Sequence, residues 1–383
     1  MKKTQETPRN KDNTKQAVLH MAFELSDTKW KLAFSDCSKR RLVTINARNL
    51  EQLQEEIEKA ELRFKLSDDV RIVSCYEAGR DGFWLHRYLL SCGIENKVVD
   101  SSSIEVNRRK RRAKTDRIDA GKLLRMLMRY HAGERKLWSV VRVPSVEAED
   151  GRSLNRELEV LKKERTMHRN RIRGLLIREA LEVGNPSGKK FLEELNSLRT
   201  WDGRKLPSDF KDSIVREYGR LRMVEEQIGI LKKERERRVQ SADSPSLRKV
   251  AQLRTLYGIG PTSSWDFVME LFSWRNFKNR RESGAFLGLT PTPYNSGSSQ
   301  HDQGISKAGR GHIRALSIQI AWGWLRFQPH SKLTQWYMER FAEGGSRMRR
   351  TGIVAVARRL LIDLWHYTEY GVIPEGARLR PMA

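Results

Sequence analysis

The sequence predicts an α/β domain followed by an all-α portion, and three observations carry that prediction. Short apolar runs alternate with two helical stretches between Ala17 and about Asp100. Two long charged segments, from Arg152 to Glu182 and from Lys211 to Val239, repeat apolar residues at helical spacing. Beyond the break SADSPS the pattern is mostly helical to the end. A chain of 383 residues with 38% hydrophobic content can bury a sizeable core, and its length suggests two or three units.

AVLHMAFEL, WKLAFSD and RLVTINA read as three strands in series. NLEQLQEEIEKAEL then places Leu50, Leu53, Ile57 and Leu62 on one helical face. RIVSCYE and KVVDSS are buried strands flanking a helix at FWLHRYLLSCG. Three strands, helix, strand, helix, strand is the order of a ribonuclease H-like fold. The segment KTDRIDAGKLLRMLMRYH turns helical after Lys114 and closes this domain, with Ile118, Leu123, Leu127 and Tyr130 recurring every three to five residues. Leu154, Leu158 and Leu161 step by four and three, as do Ile214, Tyr218 and Leu221, the seam of a central coiled-coil hairpin that serves as a spacer or dimer contact. The expected organisation is a disordered tail over 1–16, an α/β domain over 17–145, a coiled-coil linker over 146–240 and a helical domain over 241–383.

Lys and Arg number 74 against 48 Asp and Glu, a formal charge of +26. Such an excess seeks a polyanion, and nucleic acid is favoured over a membrane surface. The most apolar tract, near Ser317 to Phe327, is too short for a bilayer and is broken by Gln319 and Arg326. Cys37, Cys75 and Cys92 are widely spaced without a Cys-x-x-Cys pair, which excludes a disulfide framework or zinc ribbon and reads as ordinary buried thiols.

Phosphodiester chemistry on such a fold needs carboxylates that hold two divalent ions. The first strand offers Glu24 and the fourth Glu77, and in a ribonuclease H-like sheet those strands are neighbours. Asp116 and Asp119, three apart on a helix, share one face toward that sheet. Just upstream, Arg108, Arg109, Lys110, Arg111 and Arg112, with Lys114, would draw a phosphate backbone past the metals. In LRTLYGIGPTSSWDFVMEL, Gly258 and Gly260 form either a phosphate-approaching turn or a plain tight turn.

An acid in the first strand, EAGRDGFWL after the fourth, and KTDRIDA on the next helix resemble the acidic-tetrad, RuvC-like transposases of the insertion-sequence family numbered one hundred and ten, which include pilin-gene invertases. SGAFLGLTPTPYNSGSSQHDQGISKAGRGHIRALSIQIAW resembles the family's carboxy-terminal serine transposase domain, so the resemblance spans nearly the whole chain. Glu77, Asp116 and Asp119 match its last three acids. Where the family normally carries Asp in a Gly-Ile-Asp strand, this chain reads Ala22-Phe23-Glu24, and Asp27 is a rival ligand that strand alternation would point the other way.

The resemblance implies that Ser296, the serine before glycine, is the nucleophile that becomes joined to DNA, with Ser298 and Ser299 close by. Lys307, Arg310 and Arg314 would supply charge to the scissile phosphate, and His301 and His312 are candidate bases. It further implies Mg²⁺ (two ions, with Mn²⁺ as an alternative), double-stranded donor and target DNA, a structured non-coding bridge RNA, a homo-oligomer (dimer or tetramer) and a place in the bacterial cytoplasm acting at the nucleoid. The rival readings are a RuvC-like junction nuclease that hydrolyses DNA with water, and a catalytically inactive nucleic-acid-binding protein.

Overall fold

The computed structural model describes residues 17–67, 69–104, 116–182, 184–275, 277, 279–296, 299–307, 309 and 311–380, without side chains at 102, 116–119, 294–296 and 299–303. The expected tail over 1–16 and the basic run Arg108–Arg112 with Lys114 lie outside the described residues, as do Ser298 and Arg310. The chain divides into two compact units, Met1–Val143 and Pro144–Ala383.

The first unit opens with β1 (Val18–Leu25), β2 (Lys29–Ser35) and β3 (Arg40–Asn46), followed by α1 (Leu50–Phe64), β4 (Arg71–Glu77), α2 (Trp84–Ser91), β5 (Glu95–Val99) and α3 (Asp116–His131). The strands form one sheet in the order β3-β2-β1-β4-β5, with β1, β2 and β3 antiparallel and β4 parallel to both β1 and β5. This succession and the β1–β4 adjacency match the expectation from sequence. Helix α1 starts where the Asn49 side chain accepts from the Gln52 amide, and it stops at Lys65, whose backbone is left-handed.

Side-chain alternation sorts the sheet into two faces. Leu19, Met21 and Phe23 of β1 pack with Leu53, Ile57 and Ala60 of α1 and with Leu85 and Leu89 of α2. Ala22 of β1 and Val73 and Cys75 of β4 pack instead with Ala120, Leu123, Leu124 and Leu127 of α3. All three cysteines are free. Only Cys75 is buried, whereas Cys37, in the turn after β2, and Cys92, at the end of α2, are exposed, contrary to the expectation of three buried thiols.

The second unit begins with α4 (Val146–Asp150) and α5 (Ser153–Ile177), passes through α6 (Phe191–Ser197) and returns along the 34-residue α7 (Ser208–Ser241). Helices α5 and α7 form an antiparallel hairpin. Leu154 and Val239 join the main core at one end, Leu158, Leu161, Val224 and Ile228 pack along the middle, and Ile172, Leu176, Ile214 and Leu221 pack with Phe191 and Leu195 at the far end. SADSPS breaks the helix as expected: Ala242 is left-handed, and the Ser244 hydroxyl accepts from Leu247 N–H to start α8 (Pro245–Arg254) with Pro245 in its first turn.

Next come α9 (Pro261–Phe267), which runs into a π turn at Val268–Phe272, α10 (Arg280–Phe286), the hairpin β6 (Pro291–Ser296) and β7 (Ser299–Ile305), α11 (Gly311–Phe327), α12 (Lys332–Tyr337) with a second π turn at Met338–Ala342, and α13 (Ser346–Tyr370). Trp265, Phe267, Phe272, Trp324, Leu360 and Leu364 are central members of their shared core. No helix among the described residues is long and apolar enough to cross a membrane.

Candidate active site

Two of the four expected carboxylates fall on adjacent strand ends. The β1–β4 register runs in parallel to Phe23↔Tyr76, so Glu24 and Glu77 follow side by side on strands about 4.8 Å apart. Alternation places Glu24 with Ala22 and Glu77 with Val73 and Cys75, on the face that α3 covers. Glu24 is half-buried and Glu77 exposed.

The direction of α3 completes the arrangement. His131 in its last turn bonds His20 near the start of β1, Nδ1 to Nε2 at 3.0 Å, while Ala120 packs in the cluster that holds Ala22. The helix therefore runs opposite to β1. Its first turn, from Asp116 to Asp119, begins toward the carboxyl end of the strand, where Glu24 sits. The side chains of Asp116 and Asp119 lie outside those described, and among the described residues no group of three or more acids, histidines or cysteines is close enough to hold a metal.

Asp27 does not share this face. Strand β1 ends at Leu25, and Asp27 stands exposed in the turn before β2, within 3.1 Å of Arg48 and 3.4 Å of Arg80. Glu24 is thus the β1 carboxylate that the backbone directs toward α3.

In the second unit, Ser296 ends β6 and pairs with Ser299, the first residue of β7. Lys307 follows the hairpin in left-handed backbone, exposed, its N–H donating to the Gly288 carbonyl at 3.2 Å. Beside the hairpin's base lies a groove of about 880 Å³ between Pro291, Gly304 and Ile305 and one face of α13, from which Arg347, Arg350 and Arg358 line it. From Ser346 to Ile362 that helix carries five arginines and no carboxylate. This is a cationic wall beside the strand that ends in Ser296.

The family described as transposase IS116/IS110/IS902 matches residues 250–335, from within α8 into α12 and including the hairpin. "Putative transposase y4rJ" of Sinorhizobium fredii is 43% identical over 315 residues, covering 79% of this chain and 78% of that one. The transposase for insertion sequence element IS1111A of Coxiella burnetii is 27% identical, covering 63% of this chain and 62% of its own length. The chain belongs to the IS116/IS110/IS902 family of insertion-sequence transposases.

Membership makes DNA the polymer that this transposase processes, and it gives the remaining polar groups a context. His312, at the start of α11, is engaged by acids: its Nε2 lies 2.8 Å from Glu159 of α5 and 3.5 Å from Asp266 of α9. The Asp266 hydrogen bond and the charge of Glu159 outweigh partial burial and raise its pKa. The two carboxylates tie His312 of α11 to α5 and α9. Arg235 of α7 completes the cluster, bonded to Asn155 of α5, 3.5 Å from Asp266 and stacked over the Trp265 ring at 5.2 Å. Arg314 is half-buried and donates to the Leu287 carbonyl at the end of α10.

Gly258 has φ +88°, and a Cβ there would come within 3.5 Å of Phe327 and 3.6 Å of the Gly323 carbonyl of α11. Its left-handed backbone is what calls for glycine, since the added Cβ would make only ordinary contact with α11. The side chains of Ser296, Ser299 and His301 lie outside those described. Sequence reasoning missed the α13 arginines, although SRMRRTGIVAVARR, dense in arginine and free of acid, was a readable signal.

Proposed function

We propose that this transposase cuts and rejoins DNA by transesterification on a ribonuclease H-like, RuvC-like acidic centre and a serine nucleophile. The supporting observation is the placement of Glu24 and Glu77 at the carboxyl ends of adjacent parallel strands, on the face covered by the helix that opens with Asp116 and Asp119. Carboxylate oxygens are the hard donors that Mg²⁺ prefers. Glu24, Glu77, Asp116 and Asp119 would hold the ions. When bound, Mg²⁺ (or Mn²⁺) supplies Lewis-acid polarisation of a phosphate oxygen.

Ser296 attacks the scissile phosphorus. An Oγ–P bond forms as the bond from phosphorus to one sugar oxygen breaks, and the serine proton ends on the leaving oxygen. The phosphoserine link keeps the bond energy for rejoining. Lys307, Arg310 and Arg314 stand near the hairpin in sequence, and Lys307 and the α13 arginines offer charge to the strand's phosphates. A structured bridge RNA that pairs with donor and target DNA would occupy much of the remaining cationic surface, read by shape and backbone. The working form is a homo-oligomer, and the α5–α7 hairpin is a coiled-coil element of it.

The test is a covalent protein–DNA adduct trapped with Mg²⁺ and donor DNA in the presence of the flanking non-coding RNA. Ser296→Ala is expected to abolish the adduct while DNA binding persists, and Asp119→Ala to lose cleavage with the fold intact. Cleavage that continues without an adduct makes the protein a hydrolytic nuclease. Cleavage that survives Asp116→Ala and Asp119→Ala removes the acidic centre from the reaction.

A further inference from the structure

A row of four polar residues crosses the α3 face of the first sheet. Register pairs Thr44 of β3 with Lys31 of β2, and Lys31 with Glu24 of β1, while Glu77 of β4 follows one strand farther on. Residues paired across a sheet share a face. Ala22 and Ala33, the next pair on the same face, lie in the cluster under α3. The row therefore changes sign between β1 and β2, with the acids toward β4 and the ammonium toward β3.

Lys31 stands in a strand that is otherwise apolar from Trp30 to Phe34. Trp30, Leu32 and Phe34 are fully buried on the opposite face and Ala33 is buried on this one, whereas Lys31 is half-buried. Holding a lysine in the second strand of the sheet costs side-chain entropy and part of its hydration, so the position calls for a use. Beside it lies a cavity of about 340 Å³, lined by Lys31, Leu42, Thr44 and Ala120 and by no carboxylate. Ala120 directly follows Asp119 in α3, so this cavity abuts the helix turn that carries Asp116 and Asp119.

A second cation approaches from β3. Arg40 shares the face of Leu42 and Thr44, and its Nη1 lies 3.3 Å from where a Cβ on Gly121 would stand, one residue beyond Ala120. Arg40 meets no carboxylate among the described residues. A space with an ammonium, a hydroxyl and apolar walls, next to a guanidinium, selects an anion. The polymer that this family processes is DNA, and a strand whose scissile phosphate lies over Glu24 and Glu77 brings its neighbouring phosphate to the β2–β3 side, one strand spacing away.

We propose that Lys31 contacts the substrate: its ammonium, with the Thr44 hydroxyl, holds the DNA phosphate next to the scissile one in this cavity and so sets the scissile phosphorus over the acidic centre. The proposal rests on the reading of Glu24, Glu77, Asp116 and Asp119 as that centre. It adds to the acids a cation that fixes where the strand lies, the kind of positioning on which phosphoryl transfer depends.

Binding of donor DNA is measured against salt concentration in full-length Ser296→Ala protein, with Mg²⁺ and the flanking non-coding RNA, so that uncut complex is read. Adding Lys31→Ala is expected to weaken binding roughly 10-fold, as for one lost charge-assisted hydrogen bond. The slope of log affinity against log salt should fall by about 0.9, the share of one phosphate. A methylphosphonate walked through the phosphates beside the cleavage point should weaken the Lys31 protein at one position and leave Lys31→Ala indifferent there. Lys31→Arg should restore most of the affinity. Parental affinity and slope in Lys31→Ala overturn the proposal. A lower Tm with binding intact also overturns it, and makes Lys31 a counter-charge for Glu24 within the sheet. Cleavage that survives Asp119→Ala removes the acidic centre and the proposal with it, a failure seen without altering Lys31.

Discussion

Gly309 shows how tightly one position can be specified. Its φ is +71°, and a Cβ would lie 2.1 Å from the Phe286 carbonyl oxygen, a contact no side chain can make. Gly309→Ala is expected to cost at least ~2 kcal/mol, from left-handed strain and displaced backbone, and to lower Tm by ~4–8 °C. Gly304→Ala, where a Cβ meets nothing within 4 Å, is the control and should leave Tm within about a degree. The histidine pair that closes the α3 side of the sheet sets a pH response. Burial, with the charge of His131 beside it, pushes His20 down from 6.5 to about 4, and burial lowers His131 too. Above pH 6.5 both are neutral in either state and cost nothing. Between pH 6.5 and 4 the unfolded chain takes up protons that the folded one refuses, and up to about 3 kcal/mol is lost through His20. Protection of the β1 amides, measured against the unfolded exchange rate at each pH, should therefore fall across that window, and His20→Gln should flatten the response. An unchanged profile in His20→Gln would place the sensitivity elsewhere. The face that Glu24 occupies was legible from alternation alone, because β1 is regular through Leu25. The pairing of His20 with His131, 111 residues apart, was not, since nothing local links them.

At the level of elements, the strands of the first unit were readable because their apolar runs are bounded by polar turns. RIVSCYE, for example, coincides with β4 from end to end. The β6–β7 hairpin was not. Pro291 and Pro293 argue against a strand, yet they are two apart, the spacing at which both nitrogens can face away from the partner, and a register irregularity at Pro291/Thr292 takes up the first. A two-stranded ribbon has only edges, where proline is tolerated. The long helices were visible as a heptad seam, but the sequence could not show what roots them. That root is the cluster of Arg235, Asn155, Glu159, Asp266 and His312, contributed by α5, α7, α9 and α11. Asp266 is 2% exposed, so its removal strands the largely buried Arg235. Asp266→Ala is expected to destabilise by ~3–5 kcal/mol, the usual result of deleting one partner of a buried pair. Because His312 is raised, its share is present below pH 6.5 and fades as pH climbs through its folded value. Chemical denaturation at acid and alkaline pH checks both, and an Asp266→Ala protein as stable as the parent would mean the arm is rooted by its leucines alone.

Across the whole molecule, a charge of +26 must be borne near something anionic, and the arginine groove beside β6–β7 is a place where that charge has a defined shape. Ser296 lies five residues beyond Pro291, which borders the groove, about 17 Å along an extended strand. At roughly 3.4 Å per nucleotide, a DNA strand that reaches Ser296 has phosphates at the groove about five nucleotides away. Each neutralised phosphate adds about 0.9 to the slope of log affinity against log salt. Replacing Arg347, Arg350 and Arg358 together by alanine should therefore lower that slope by roughly 3, so a fourfold rise in salt weakens the variant about 40-fold less than the parent. The loss should be shared by all DNA sequences, because guanidinium–phosphate contacts carry no base information. Methylphosphonates placed about five nucleotides from the cleavage point should weaken the parent and leave the triple variant unaffected. An unaltered salt slope in the triple variant would mean that the groove does not carry DNA, and that the charge is spent on other surfaces of the protein.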